Sequence, residues 1–488
     1  MKIAFVASEV VPFAKTGGLA DVAGALPKEI KELGHDIKVF MPKYYSVDEK
    51  RFNLEYLSWV GSLPIQISGK SLDVNFHKGY LPNTNVEIYF IDYPRLFHRR
   101  TIYTNDIDED ERFILFSKAV IELLQKLRWR PDVIHLNDWQ TGLIPLLLKD
   151  NYSWDKMFSK TATIFTIHNI GYQGSFPKET LFKAEIHPKY FESPGQVEQG
   201  GKINFLKTGI SFADVINTVS ETYAEELLLP EYSFGMDNIL KYRSEDFYGI
   251  LNGIDYNIWD PENDKHIPFN YTVNDLSGKL KNKKELLKKF GLTYNEKIPV
   301  IGIISRLAVQ KGFDILLASM EYLMSLDLQM VLLGSGEYEY ESGFNALANK
   351  YSHKFGIHLG CSNSLSHLIE AGSDMFLMPS HYEPCGLNQI YSLKYGTVPI
   401  VRKTGGLADT VHDHDEMTEQ GLDTGNGYSF NDYNGYALTN AVERAIRDFN
   451  NKPVWKKIQS NGMNNNFSWK KSAEKYIDLY KKAKKKQL

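Results

Sequence analysis

Cysteine is scarce in this sequence: Cys361 and Cys385 are the only two among 488 residues. Two thiols are too few for a disulfide framework or a four-ligand structural zinc site. Long apolar runs are missing as well. None approaches the ~18 to 20 residues that a membrane-spanning helix needs, so no membrane partner is expected. The apolar stretch at the N-terminus stops at Glu9 without the small-residue cleavage pattern of a secretion signal. It reads as a first strand, and a cytoplasmic location is expected. Charge of one sign is barely in excess. The formal net charge of −4 gives no field that would draw the chain to nucleic acid or anionic lipid. The common phosphate fingerprints are lacking too. Gly334-Ser335-Gly336 has neither the Lys-Ser/Thr of a P-loop nor the third glycine of a dinucleotide motif.

What is present is ordinary for a globular protein, with 43% hydrophobic and 24% charged residues. At 488 residues one core is too small a solution, and two domains of similar size are expected. Aromatic residues reach 13%, with 29 tyrosines. Such rings stack on sugar faces, yet they fill cores just as readily.

The most informative feature is a repeat. Lys15-Thr16-Gly17-Gly18-Leu19-Ala20-Asp21 recurs unchanged at Lys403-Thr404-Gly405-Gly406-Leu407-Ala408-Asp409. Each copy follows a strand-like run, Ile3 to Ala7 and Val398 to Val401, and precedes apolar positions at helical spacing. A glycine pair between strand and helix lets amide groups face outward and a ligand come close. The helix start behind it favours an anion. Two α/β domains presenting such loops to one ligand are expected, against the plainer reading of two capping turns or a remnant of duplication.

Along the chain, residues 2 to 7 and 36 to 41 read as buried strands with a helix between them, kinked or restarted at Pro27. Residues 50 to 95 alternate raggedly and suggest antiparallel excursions such as Val86 to Ile91. A helix from Phe113 to Leu127 leads into a strand from Asp132 to Leu136. Further strands are expected at 162 to 167, 215 to 219, 248 to 251, 300 to 304, 330 to 333, 375 to 378 and 398 to 401. Polar residues gathered just after these strands mark the ligand edge of an open parallel sheet. The expected domains are 1–255, a linker region 256–297 carrying a lysine-rich helix, 298–465, and a last amphipathic helix in 466–488. Its lysines, Lys481 to Lys486, read as a solvated terminus.

Several side chains could carry chemistry. Arg306 and Lys311 follow the strand that ends at Ser305, and two cations at a sheet mouth suit a diphosphate. Glu383-Pro384-Cys385-Gly386-Leu387 follows another strand and forms a tight turn that aims a carboxylate. Cys385 has no partnered base, so it is not read as a nucleophile. His168 closes a strand at a glycine-containing loop, a position for binding. Asp106-Ile107-Asp108, Asp108-Glu109-Asp110 and Asp413-His414-Asp415 match a loose metal pattern but read as solvated acidic loops. No metal is expected.

Taken together these motifs resemble the bacterial glycogen synthases and plant starch synthases, retaining glucosyltransferases of the GT-B type. The matching stretches are Lys15 to Asp21, His135 to Gln140, His168 to Gly174, Asn252 to Asp255, Ser305 to Gly312, Glu383 to Leu387, Lys403 to Asp409 and Phe467-Ser468-Trp469. The resemblance implies an α/β, GT-B architecture: two Rossmann-like domains facing each other across a deep cleft, with the C-terminal helix returning to the N-terminal domain. It implies glucose transfer from ADP-glucose, or UDP-glucose, to the non-reducing end of an α-1,4-glucan such as glycogen, with retention and with no cofactor or metal. By position it assigns Lys15, Gly17, Gly18, Arg306, Lys311, Thr404 and Gly405 to the donor phosphates. Glu383 and the amides of Cys385, Gly386 and Leu387 are assigned to the glucose hydroxyls, Asn252 and His168 to its 6-hydroxyl, and Asp138 to the acceptor side.

Two positions depart from the family pattern. Tyr391 stands where related retaining transferases carry a second glutamate. Cys361 stands where many relatives stack an aromatic ring on adenine. Sugar-nucleotide epimerases and pyridoxal-phosphate-dependent glucan phosphorylases share the two-lobed architecture and are the rival enzyme classes. A non-catalytic glucan-binding protein is the third reading, and it has no need of all three phosphate cations.

Overall fold

The computed structural model describes residues 1–192 and 195–487. The chain divides into two compact units. Unit 1 comprises Met1–Val219, Ala224–Gly253 and Trp469–Leu488. Its main sheet runs, in spatial order, Phe247–Gly249, Val215–Thr218, Ala162–Ile167, Val133–Asn137, Lys2–Val6, Asp36–Pro42, Glu87–Asp92, Lys70–Tyr80 and Glu55–Tyr56, with Leu63–Ile67 paired to Lys70–Tyr80. The central strands are parallel and buried along their length, as in Ala162–Ile167. That is what continuous Val/Ile/Leu/Phe runs give when helices cover both faces.

Glu87–Asp92 was expected as an antiparallel excursion. It is instead the last parallel strand, joined to Asp36–Pro42, and only its other edge pairs antiparallel, with Lys70–Tyr80. Strand direction depends on the crossover that precedes it, which alternation along the chain does not encode. The helix Gly18–Glu32 buries Leu19, Val22, Ala23, Leu26 and Ile30. Pro27 lies inside it without ending it.

The helix Trp469–Lys485 belongs to unit 1 and buries Trp469, Ala473, Tyr476, Ile477, Tyr480 and Ala483. Its two tyrosines reach a buried polar chain. The Thr166 hydroxyl donates to Asn217 Oδ1 at 2.6 Å, so at its 2.7 Å contact with His135 Nε2 it must accept. His135 therefore carries its proton on Nε2, and Nδ1 accepts from the Tyr480 hydroxyl at 2.8 Å. Asn217 Nδ2 donates to the Tyr476 hydroxyl at 3.2 Å, closing the set. Burial drives His135 down to about 3, so it stays neutral. The lysine tail is not wholly solvated: Lys484 pairs with Asp132 at 2.8 Å.

Asp108-Glu109-Asp110 is not a solvated loop either. Glu109 and Asp110 open the helix Glu109–Leu127 and are buried. Glu109 holds Arg112 at 2.7 Å, and Asp110 accepts from Thr180 at 2.7 Å and from Lys183 at 3.0 Å.

Unit 2 comprises Ser220–Tyr223 and Ile254–Ser468. Its sheet is parallel throughout, in the order Phe355–Leu359, Gln329–Gly334, Val300–Ile304, Met375–Met378, Val398–Arg402, Tyr428–Phe430. Residues 256 to 297, expected as a linker, are part of this unit. The helix Ser277–Lys289 adds Leu286 and Leu287 to a core with Leu365, Leu368 and Ile369. Two lysines of this lysine-rich helix, Lys279 and Lys283, are buried and donate to carbonyl groups of Ala371 and Ile298. Before it, Trp259 is sandwiched between His367, at 3.8 Å, and Tyr391, at 3.9 Å, with nearly parallel rings. Asp413 is a further correction. It is buried, caps the helix His414–Glu419, and holds Arg444 at 3.0 Å.

Candidate active site

In each unit the first strand lies between neighbours whose connections leave in opposite directions. Lys2–Val6 has Asp36–Pro42 on one side and Val133–Asn137 on the other. Val300–Ile304 has Gln329–Gly334 and Met375–Met378. The loops beyond the carboxyl ends of such strands splay apart, and open parallel sheets bind ligands there. The candidate residues of each unit fall on those loops.

In unit 1 the first copy of the repeat follows Lys2–Val6. A Cβ added to Gly17 or Gly18 would meet nothing within 4 Å, so packing does not demand these glycines and the space beside them is open. The amides of Thr16 and Gly17, expected to face outward, instead donate to Glu9 Oε2 at 2.5 and 3.0 Å. The first-turn amides that begin at Gly18 remain as the loop's donors. Lys15 is exposed and pairs with Asp21 at 2.7 Å.

Asp138 and His168 come together at the ends of adjacent strands. The His168 amide donates to Asp138 Oδ1 at 2.7 Å. Asp138 sits at φ 59° and ψ 179°, a conformation that residues with a side chain seldom adopt and that is found where function requires it. Burial pushes its carboxyl up to about 7. His168 is set by Asn137. That amide donates to the Val6 carbonyl at 2.9 Å, which turns its oxygen toward His168 Nε2, also at 2.9 Å. The ring must therefore donate from Nε2. Burial lowers His168 to about 3, leaving a neutral imidazole. Asn252, after the edge strand, is buried, and its Oδ1 has no hydrogen-bond partner among the described residues.

In unit 2 Arg306 is exposed, and its guanidinium makes no hydrogen bond or ion pair with the described residues. Lys311 closes the same loop and pairs with Glu383. Glu383 is buried and also accepts from Ser380 at 3.0 Å. Gly386 adopts φ 68°, and Gln389 ties down the turn by donating to the carbonyls of Cys385 and Gly386, each at 3.0 Å. Leu387 immediately precedes the helix Asn388–Lys394, whose Asn388 donates to the Ile304 carbonyl at 2.8 Å. The second copy of the repeat packs onto this turn. A Cβ on Gly405 would collide with the Glu383 carbonyl, and one on Gly406 with the Cys385 carbonyl. Thr404 stands at the N-cap position of the short helix Gly405–Thr410, without a side-chain capping bond. Identical sequences thus do different work: in the first copy the glycines leave space, in the second they consume it. Asp409 differs from Asp21 as well, accepting from the hydroxyls of Ser220 and Thr222 at 2.6 and 2.5 Å.

Sequence reasoning missed Glu9, Asn137 and Ser380. Asn137 lies inside the His135 to Gln140 stretch without having been given a role, the other two stand within a few residues of a motif that was read, and each hydrogen-bonds a group of the site. The signal was a polar side chain in or just after a buried strand, where a hydrogen bond has to be found. Cys361 is exposed and Cys385 buried.

Residues 2–242 match the family model described as starch synthase catalytic domain, and residues 284–462 match that of glycosyl transferases group 1. A glycogen synthase of Thermotoga maritima is 44% identical over 486 residues, covering 99% of each chain. The chain belongs to the glycogen synthase and starch synthase family. It is a glycosyltransferase. A glycogen synthase of Thermosipho melanesiensis is 45% identical over the full length of both chains. Among solved structures, the catalytic domain of starch synthase IV from Arabidopsis thaliana, bound to ADP and acarbose, has a TM-score of 0.90 at 32% identity, with 99% of each chain covered. Its two-domain α/β fold is the GT-B fold of this family. A sucrose-phosphate synthase from Thermosynechococcus elongatus, with a TM-score of 0.58 at 16% identity, shares the fold alone.

Proposed function

We propose that this chain transfers glucose from ADP-glucose to the non-reducing end of an α-1,4-glucan, with retention at the anomeric carbon. The observation that carries the reading is the strand-end loop of unit 2. There a guanidinium with no partner among the described residues, Arg306, stands on the same loop as Lys311, beside the turn that carries Glu383. The ADP bound by the Arabidopsis relative supports a nucleoside diphosphate as the leaving group.

In this reading Arg306 and Lys311 hold the diphosphate with the Thr404-Gly405 loop, and Lys15, Gly17 and Gly18 serve the same phosphates. Departure of the glucosyl unit breaks the bond between C1 and the phosphate oxygen, leaving a diphosphate anion and an oxocarbenium-like sugar. Fixed cations and amides stabilise that charge as it forms. Glu383 and the amides of Cys385, Gly386 and Leu387 receive the glucose hydroxyls, with His168 and Asn252 at the 6-hydroxyl. The orphaned Asn252 Oδ1 is a ready acceptor for it. Asp138 serves the acceptor side. The acceptor 4-hydroxyl attacks C1 on the face the phosphate leaves, and its proton passes to the departing phosphate oxygen. Mass-spectrometric capture of a covalent glucosyl-enzyme would exclude this front-face route.

The test is a donor panel with maltooligosaccharide acceptors, scored by chain extension. Extension with ADP-glucose at well above the UDP-glucose rate supports the reading. A UDP-glucose preference would show that Cys361, exposed at the position of the family's stacking ring, marks a change of base. No extension with either donor would overturn it.

A further inference from the structure

Unit 1 gathers five titratable side chains that the proposed reaction does not use: Lys43, Glu49, His77, Asp92 and His98. His77 lies on Lys70–Tyr80 and Asp92 ends Glu87–Asp92. Asn75 is opposite Asp92, so His77, two residues on, is Asp92's diagonal neighbour on the same face. His77 Nδ1 faces Asp92 Oδ2 at 3.5 Å, and its Nε2 faces Glu49 Oε1 at 3.6 Å. His98 Nε2 lies 3.8 Å from Asp92 Oδ1. One donor atom from each of Glu49, His77 and Asp92 falls within 4.8 Å of the others.

These contacts leave hydrogen-bonding capacity unused. His77 Nδ1, Asp92 Oδ1 and His98 Nε2 are all buried and have no hydrogen-bond partner among the described residues. His77 as a whole is only 6% exposed and Asp92 8%. Buried polar atoms are nearly always satisfied, so three orphans in one cluster need a further partner. Imidazole nitrogens and carboxylate oxygens converging at this spacing are the donor set of a divalent transition metal. The Lys43 ammonium already marks the spot as one that favours positive charge, 2.8 Å from Glu49 Oε1 and 3.8 Å from Asp92 Oδ2. It stands on a flexible stem that can swing aside.

We propose that Glu49, His77 and Asp92, with His98 beside them, bind a divalent ion of the zinc class in exchange for the Lys43 ammonium. The ion clasps the loop that carries Glu49 to the strand pair that carries His77 and Asp92. Half of the Glu49 side chain is exposed, which gives the ion a way in.

The experiment is titration of the metal-stripped full-length protein with Zn2+ by calorimetry, and with Co2+ by visible absorption. One equivalent is expected in the parent and lost in His77→Ala and Asp92→Asn. Lys43→Met is expected to tighten binding on the order of tenfold, because a like charge a few ångströms away is removed. Glu49→Gln, at a half-exposed loop position, must weaken binding even if a buried substitution unfolds the chain. Equal uptake by the parent and Glu49→Gln, or weaker uptake by Lys43→Met, would show a lysine-centred ion-pair cluster with adventitious metal binding elsewhere, and would overturn the proposal.

Discussion

Lys311 places its ammonium on both carboxylate oxygens of Glu383, at 2.9 and 2.7 Å. The two residues assigned to phosphate and to sugar are therefore each other's partners before any donor arrives. On the proposed reading, donor binding rearranges this pair, offering Lys311 a diphosphate and Glu383 hydroxyl groups in exchange. Lys311→Ala is expected to lower turnover by ~100-fold or more, the scale of one electrostatic contact at a transition state. It also leaves a buried carboxylate with only Ser380, so the melting temperature falls. Glu383→Gln in the same background should restore part of the stability and none of the activity. Near-normal turnover in Lys311→Ala would remove the residue from the site.

The two copies of the repeat give a paired prediction. Gly17→Ala and Gly18→Ala should fold with a melting temperature close to the parent's, because an added methyl meets nothing. Both should bind ADP more weakly in calorimetry. Gly405→Ala and Gly406→Ala should instead lose ~1 to 3 kcal/mol or more in urea unfolding, since the methyl strikes a backbone carbonyl. Equal destabilisation in all four would mean the first copy is packed like the second.

Asp138 gives a pH dependence of opposite sign to that of most carboxylates. Its folded value is about 7 against an ordinary 3.8. Between those limits the folded chain holds a proton that the unfolded chain has released. Stability from this group is thus fully present at acid pH and lost as pH rises through about 7. Asp138→Asn removes that loss. Its melting temperature relative to the parent should rise between about pH 4 and about pH 7 and level off above that. A difference that stays flat or shrinks over that range counts against the buried carboxyl.

Tyr480→Phe deletes the donor to His135 Nδ1. About 1 to 3 kcal/mol of stability should go with it, because a buried acceptor is left unsatisfied. Limited proteolysis should cut within Trp469–Lys485 earlier than in the parent. Unchanged unfolding and cleavage would show that apolar packing alone seats the helix.

Tyr391→Glu restores the residue type found in related retaining transferases. Tyr391 stacks on Trp259, so the substitution should cost at least ~1 kcal/mol and raise no activity. A faster enzyme would show that the lost glutamate had been catalytic here.

What the sequence made legible was the part written in short-range pattern. Apolar runs marked the central strands of both sheets, and polar residues after those runs, such as Arg306 and His168, marked the edge where chemistry collects. What stayed hidden depends on partners distant in the chain. Residues 256 to 297 read as a linker, and nothing near them in sequence shows that Lys279 and Lys283 reach the carbonyls of Ala371 and Ile298. Asp413 read as an acidic loop until Arg444 supplied its counter-charge. Glu9 was only the end of an apolar run until the repeat folded back over it. The repeat itself carried the deepest ambiguity, because seven identical residues do not record which backbone lies against their glycines.

The helix Trp469–Lys485 is made only after the whole of unit 2 has been synthesised, yet unit 1 needs it to seal His135 and Asn217 from water. Unit 1 therefore waits, with part of its interior uncovered, while its neighbour is synthesised and has time to fold. The usual order of assembly from the N-terminus onward is reversed at the last step, since the first unit is completed by the last segment made.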